Sequence, residues 1–295
     1  MDLLDLQRFT VVNLGSGGDH PFHLPPWAQS GSTLVEIDAA DRPAATVGNY
    51  ERRLTLSDIV AGSAGVREFT TRSYVSVSGV LEPKPELVEK YALQDYFAVV
   101  DRRTVQTRTL PSMLAEHDIG HVDLLKTDLE GLDLEVLLAC GRLLEHAYCV
   151  QCELRFEPFY EGEPKFHDAL TALDRRGFDL LSLTTETWQP ATPYRETLVD
   201  RRDGQIVFAD CILIRRLDAG DVVGRARQVV LLSGLAQRAV AAYLLGTISD
   251  QIPRECRDLL TPLVTPVQPG AGGSPLRRLA RVARRRTRRH AARNA

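Results

Sequence analysis

The stretch Val122 to Gly131, VDLLKTDLEG, constrains this chain most. Its apolar start, Val122, Leu124 and Leu125, is too short for a buried helix and is bounded by turn formers, so it reads as a core strand of a parallel sheet. A strand buried on both faces has no structural use for the charges that follow, Lys126, Asp128 and Glu130. In open α/β sheets, ligands bind beyond the carboxyl ends of the strands. Those three side chains therefore mark the functional end of the sheet.

Thr10 to Leu14 reads as the first strand and breaks into the loop Gly15-Ser16-Gly17-Gly18. Glycines here let the backbone approach a nucleotide-like ligand where a Cβ would collide. The second strand, Thr33 to Asp38, ends in an acid 23 residues after Gly15. A carboxylate there can accept hydrogen bonds from both hydroxyls of a ribose. Glu36, two residues earlier on the same face, competes with Asp38 for that role. The nicotinamide pattern G-x-G-x-x-G needs a small residue at position 20, where this chain has His20 followed by Pro21. Pro25 and Pro26 also leave no room for a long first helix to face a pyrophosphate. A ligand with a ribose and no pyrophosphate fits better.

A third strand is expected at Leu54 to Val60, followed by an irregular insertion over 61–120. It contains β-prone pieces between Glu68 and Val80, an acidic helix at Pro85 to Tyr91 and an alternating strand at Val105 to Thr109. Pro111 suits the first turn of a short helix over Ser112 to His117. After Gly131, Leu134, Leu137, Leu138 and Leu144 keep the spacing of one amphipathic helix. The fifth strand, Tyr148 to Leu154, ends in Glu153 and Arg155. A helix over Phe166 to Arg176 stops at Gly177, and Phe178 to Leu183 and Gln205 to Arg215 form a closing pair around the polar loop Trp188 to Arg202. The pattern predicts an α/β, doubly wound sheet of seven strands with helices on both faces.

At 295 residues and 44% hydrophobic content the chain can bury a large core. Five irregularly spaced cysteines and no charged-then-apolar leader suggest a reducing, cytoplasmic setting, and Cys149-x-x-Cys152 reads as a pair of buried thiols. Residues 276–295 hold nine of the 36 basic residues and no acid, which leaves 27 against 39 acids in the body. Such a body should not attract nucleic acid. The tail, with Leu276, Leu279 and Val282 at helical spacing, suits peripheral contact with an anionic membrane; a solvated tail, or an arm on another protomer, is the alternative. Val222 to Leu245 is an apolar helix interrupted by Arg225, Arg227 and Arg238, too charged to span a bilayer. The expected organisation is a domain over 1–220, a helical extension over 221–260, a Pro/Gly linker over 261–275 and the arginine-rich tail over 276–295. No feature sets an oligomeric state.

With these pieces in place, the chain resembles the FkbM family of S-adenosylmethionine-dependent methyltransferases. The resemblance rests first on Lys126-Thr127-Asp128-Leu129-Glu130-Gly131 and the leucine-rich helix after it, with a threonine where that family has isoleucine. Ser76 to Pro83, Val105 to Leu114, Glu153 with Tyr160, and Ala209-Asp210 extend it over about residues 11–216. The first loop, Asn13 to Gly18, and the second strand end, Glu36-Ile37-Asp38, depart from the family pattern.

This resemblance implies a class I methyltransferase sheet, S-adenosylmethionine as donor, and methyl transfer to a hydroxyl of a saccharide or small natural product. Donor contacts fall to Gly15, Ser16, Gly17, Gly18 and Glu36 or Asp38. A hydroxyl is a weak nucleophile, so a base must take its proton, an effect worth about 10²–10⁴ in rate. Asp128 is the first choice, with Lys126 tuning it and Glu130 and Glu153 as further candidates; His20 and His23 are weaker ones. Capping of the following helix competes as a role for Asp128 and Glu130. Asp128, Glu130 and Glu153 could offer oxygens to magnesium, but nothing in their spacing calls for a metal, and none is expected. The rival readings are a nicotinamide-dependent oxidoreductase and a non-catalytic donor-binding or scaffold protein.

Overall fold

The computed structural model describes residues 2–15, 22–39, 48–191 and 204–265. In chain order the strands are β1 (Thr10–Leu14), β2 (Thr33–Ile37), β3 (Arg52–Leu56), β4 (Ile59–Val60), β5 (Gly65–Arg72), β6 (Val99–Arg108), β7 (Leu124–Lys126), β8 (Cys149–Arg155), β9 (Phe178–Trp188) and β10 (Gln205–Arg215). The main sheet has seven strands in the order β3-β2-β1-β7-β8-β10-β9. β3, β2, β1, β7 and β8 pair in parallel, while β10 runs antiparallel to both β8 and β9. The chain winds outward from β1 to β3, returns, and winds the other way from β7. This is the doubly wound class I methyltransferase order, with the reversal between β1 and β7.

The helices are α1 (Pro26–Gln29), α2 (Pro85–Lys90), α3 (Gln94–Phe97), α4 (Leu110–Ala115), α5 (Asp133–Ala139), α6 (Arg142–His146), α7 (Phe166–Arg175), α8 (Val222–Gly234), α9 (Arg238–Ile248) and α10 (Arg254–Val264). One sheet face is covered by α4 to α7, whose Met113, Leu114, Val136, Leu137, Leu144 and Leu173 bury against Val12, Val35, Leu125 and Val150. The other face, with Val11, Leu34, Leu124 and Cys149, is covered by α1 and by α8 to α10. Val229, Val230, Leu231 and Leu232 of α8 have no exposed surface, and each such burial is worth about 1.5–3 kcal/mol. The C-terminal helices thus form one layer of the sheet's packing.

The structure corrects several expectations. The third strand divides: Arg52–Leu56 forms the edge of the main sheet, and Ile59–Val60 leaves it to pair with β6. The insertion is a small sheet of its own, β4-β6-β5. The leucine-rich helix is two helices, because Gly141 adopts φ +50° between α5 and α6. Val222 to Leu245 likewise breaks between α8 and α9, where Ala236 sits at φ +60°. The helix expected at Ser112 starts at Leu110, capped by the Thr109 hydroxyl, which accepts from the Ser112 amide at 3.4 Å. α10 runs to Val264, past the start of the expected linker at 261. Cys149 and Cys152 are buried free thiols in the cores of opposite sheet faces. Ser16 to Gly18, His20 and the tail over 276–295 lie outside the described residues.

Candidate active site

The crevice at the reversal point is built by β1 and β7. Gly15 ends β1 at φ +66°, and its amide donates to the Ile37 carbonyl at 2.9 Å. A Cβ on Gly15 would lie 1.8 Å from the Asp128 carbonyl oxygen, so only glycine lets the two strand ends approach this closely. Lys126, the last residue of β7, spans the gap: its Nζ is 3.3 Å from Asp128 Oδ2 and 3.4 Å from the Gly15 carbonyl. Asp128 stands at the mouth with 44% of its side chain exposed.

Beneath the crevice, the parallel register aligns Thr55, Glu36, Asn13, Lys126 and Gln151 on adjacent strands. They share one face, two residues beyond the apolar row that meets α8. Where the helices stop covering the sheet, the sequence turns polar. In this row Glu36 is buried and committed to Arg53, whose Nη2 and Nε lie 2.6 and 2.7 Å from Glu36 Oε2. Asp38 follows β2, its amide donating to the Leu56 carbonyl at 3.1 Å. A cleft of about 490 Å³ begins at the next residue, Ala39, between Ser57, Asp58 and Ile59 on one side and Arg103, Val105 and Gln106 of β6 on the other.

Glu130 and Glu153 turn away from the crevice toward Arg155, a buried guanidinium that joins three segments. It lies 3.0 Å from Glu130 in the β7–α5 loop, 2.6 Å from Glu153 on β8 and 2.9 Å from Glu163 in the β8–α7 loop. The Tyr160 hydroxyl donates to Glu130 Oε2 at 2.7 Å. Burial, reinforced by the Asp128 charge, pushes Glu130 up to about 7 despite Arg155. Burial likewise lifts Glu153 well above the usual carboxylate range. Burial also opposes the charge on Arg155, but the surrounding acids outweigh it and hold the guanidinium firmly cationic.

α5 has no side-chain cap at its N-cap, Leu132, so the expected capping is not found; the loop before it is closed by a residue absent from the sequence expectations. Asp133 accepts from the Thr127 hydroxyl at 2.6 Å and from the Leu129 amide at 3.2 Å, closing the loop that carries Asp128. Burial pushes its carboxyl up to about 6. Tyr160 and Glu163 entered the sequence reading as a family match and not at all, respectively; no local pattern ties them to Glu130. His23 packs beside the end of α8, its amide 3.4 Å from the Gly234 carbonyl. Among the described residues no three His, Cys, Asp or Glu side chains are grouped to hold a metal ion.

A family model described as the methyltransferase FkbM domain matches residues 33–180, half of the chain. The chain belongs to the FkbM methyltransferase family. Its chemistry is methyl transfer from S-adenosylmethionine, and the residues fit that donor: the ends of β1 and β7, which Gly15 lets meet, a buried lysine between them, and an acid just past β2. The match covers β2 through the start of β9, including all of VDLLKTDLEG; the resemblance read from sequence ran wider. No curated protein matches the chain. Two solved structures of a putative tRNA methyltransferase from Streptococcus pneumoniae, one bound to S-adenosyl-L-methionine, align over 89% and 88% of this chain and 93% and 91% of theirs. Their identities are 13% and 10% and both TM-scores are 0.28, so the fold assignment of this FkbM methyltransferase rests on its strand order instead.

Proposed function

We propose that this FkbM methyltransferase methylates a hydroxyl oxygen of a saccharide or hydroxylated natural product, with Asp128 taking the proton. The observation that carries this reading is the difference among the strand-end acids. Asp128 is 44% exposed at the mouth of the crevice, whereas Glu130 and Glu153, at 18% and 13%, are turned into the Arg155 cluster. When bound, S-adenosylmethionine supplies an electrophilic methyl on a sulfonium. The chain's own tasks are then to hold donor and acceptor in line and to remove one proton. Gly15, with Ser16, Gly17 and Gly18 after it in the sequence, is assigned to the donor, and Asp38, beyond the end of β2, to its ribose, since Glu36 already serves Arg53. Lys126 orients the Asp128 carboxylate. Arg155, through Glu130 and Glu153, fixes the loops on either side.

A body with 27 basic and 39 acidic side chains outside the tail disfavours nucleic acid as acceptor. The test is transfer of labelled methyl from S-adenosylmethionine to a panel of neutral glycosides, hydroxylated polyketides, bulk tRNA and protein. Label on an oxygen of the first two classes supports the reading. Label confined to tRNA or protein overturns it.

A further inference from the structure

We propose that Lys126 and Gln151 together take the amino-acid end of the methyl donor, Lys126 its carboxylate and Gln151 its ammonium group. The inference rests on the reading of the β1/β7 crevice as the donor site. Lys126 is buried, and its ammonium offers three donors. Among the described residues it meets two oxygens, at 3.3 and 3.4 Å, where charge-assisted bonds ordinarily close to about 2.7–2.9 Å. A buried cation held this loosely has capacity for a further anionic partner. Beside it in register on β8, the buried side-chain oxygen of Gln151 has no hydrogen-bond partner among the described residues. Orphaned acceptors of this kind cost free energy unless something fills them. A loosely held ammonium next to an unsatisfied carbonyl oxygen is the complement of a zwitterion.

Position agrees with the chemistry. If the acid beyond β2 holds the ribose, the far end of the donor must cross the end of β1 and lie over β7. Those strands are two spacings apart, roughly 10 Å. Lys126 and Gln151 stand at the β7 and β8 end of that path.

The experiment is calorimetric and needs no acceptor. S-adenosylhomocysteine, which keeps the amino-acid end, is titrated into wild type, Lys126→Met and Gln151→Leu alongside methylthioadenosine, which lacks it. We expect Lys126→Met to weaken S-adenosylhomocysteine at least ten-fold and Gln151→Leu by a smaller factor, with methylthioadenosine bound as by wild type. Equal loss for both ligands, or no loss for either, overturns the inference while leaving the donor site standing. A wild type that binds neither ligand overturns the donor site itself, and the inference with it. Should Lys126→Met fail to fold, the wild type still decides: it must bind S-adenosylhomocysteine at least ten-fold more tightly than its carboxamide, and equal affinities refute the role of Lys126.

Discussion

Arg155 donates to the Glu130 carboxylate at 3.0 Å, and Glu130 sits at φ +50°, a left-handed backbone angle that costs a non-glycine residue about 1–2 kcal/mol. Gly131 follows at φ +94°, tight against the Tyr160 ring. The turn after Asp128 is therefore fastened to β8 and to the loop beyond it, and the fastening involves acids whose folded pKa values are raised.

That shift sets a pH dependence. Burial raises Glu130 to about 7, so the folded state favours its proton more than the unfolded chain does. The stability tied to that proton is fully present below the ordinary carboxylate range near pH 4 and is lost as pH rises through about 7. Glu130→Gln keeps a hydrogen-bonding side chain and removes the titration. Its melting temperature should change less between pH 5 and pH 8 than that of wild type; thermal scans showing the same slope in both would refute the assignment.

On the opposite rim of the sheet, Arg227 of α8 binds Asp123 at 2.6 Å and stacks over Phe9, its guanidinium carbon 4.3 Å from the ring centroid. Burial works against the Asp123 charge, but the His121 hydrogen bond and Arg227 overcome it and hold the carboxyl below its usual range. Removing one partner of a buried pair costs about 3–5 kcal/mol. Urea denaturation of Arg227→Met should show a loss of that size, and a midpoint equal to wild type would mean that α8 holds to the sheet by apolar contacts alone.

The sheet was readable because its central strands are apolar on both faces, as parallel strands covered by helices must be. The third strand was misplaced for the converse reason: β3 is a largely exposed edge, with no apolar run to mark where it ends. The leucine spacing runs on through Gly141 and hid the break there, and nothing about Ala236 announces a left-handed residue. At the site, Lys126 and Asp128 were legible because they are close in sequence. The partners of Glu130 were not, since Arg155 and Tyr160 arrive from other segments and meet it only once β7 and β8 pair.

The two acids of β2 have different burdens. Glu36→Ala removes a buried carboxylate that Arg53 meets at 2.6 Å and should lower the melting temperature. Asp38→Ala should weaken S-adenosylhomocysteine at least ten-fold. Calorimetry paired with thermal melts checks both. Unchanged donor affinity in Asp38→Ala would move the ribose contact elsewhere.

Asp128→Asn tests the central claim most directly. The amide keeps the shape of the side chain and its place beside Lys126 but cannot take a proton. The account predicts S-adenosylhomocysteine affinity equal to wild type and methyl transfer to the acceptor slower by about 10²–10⁴. An Asp128→Asn enzyme that transfers methyl at the wild-type rate would contradict it.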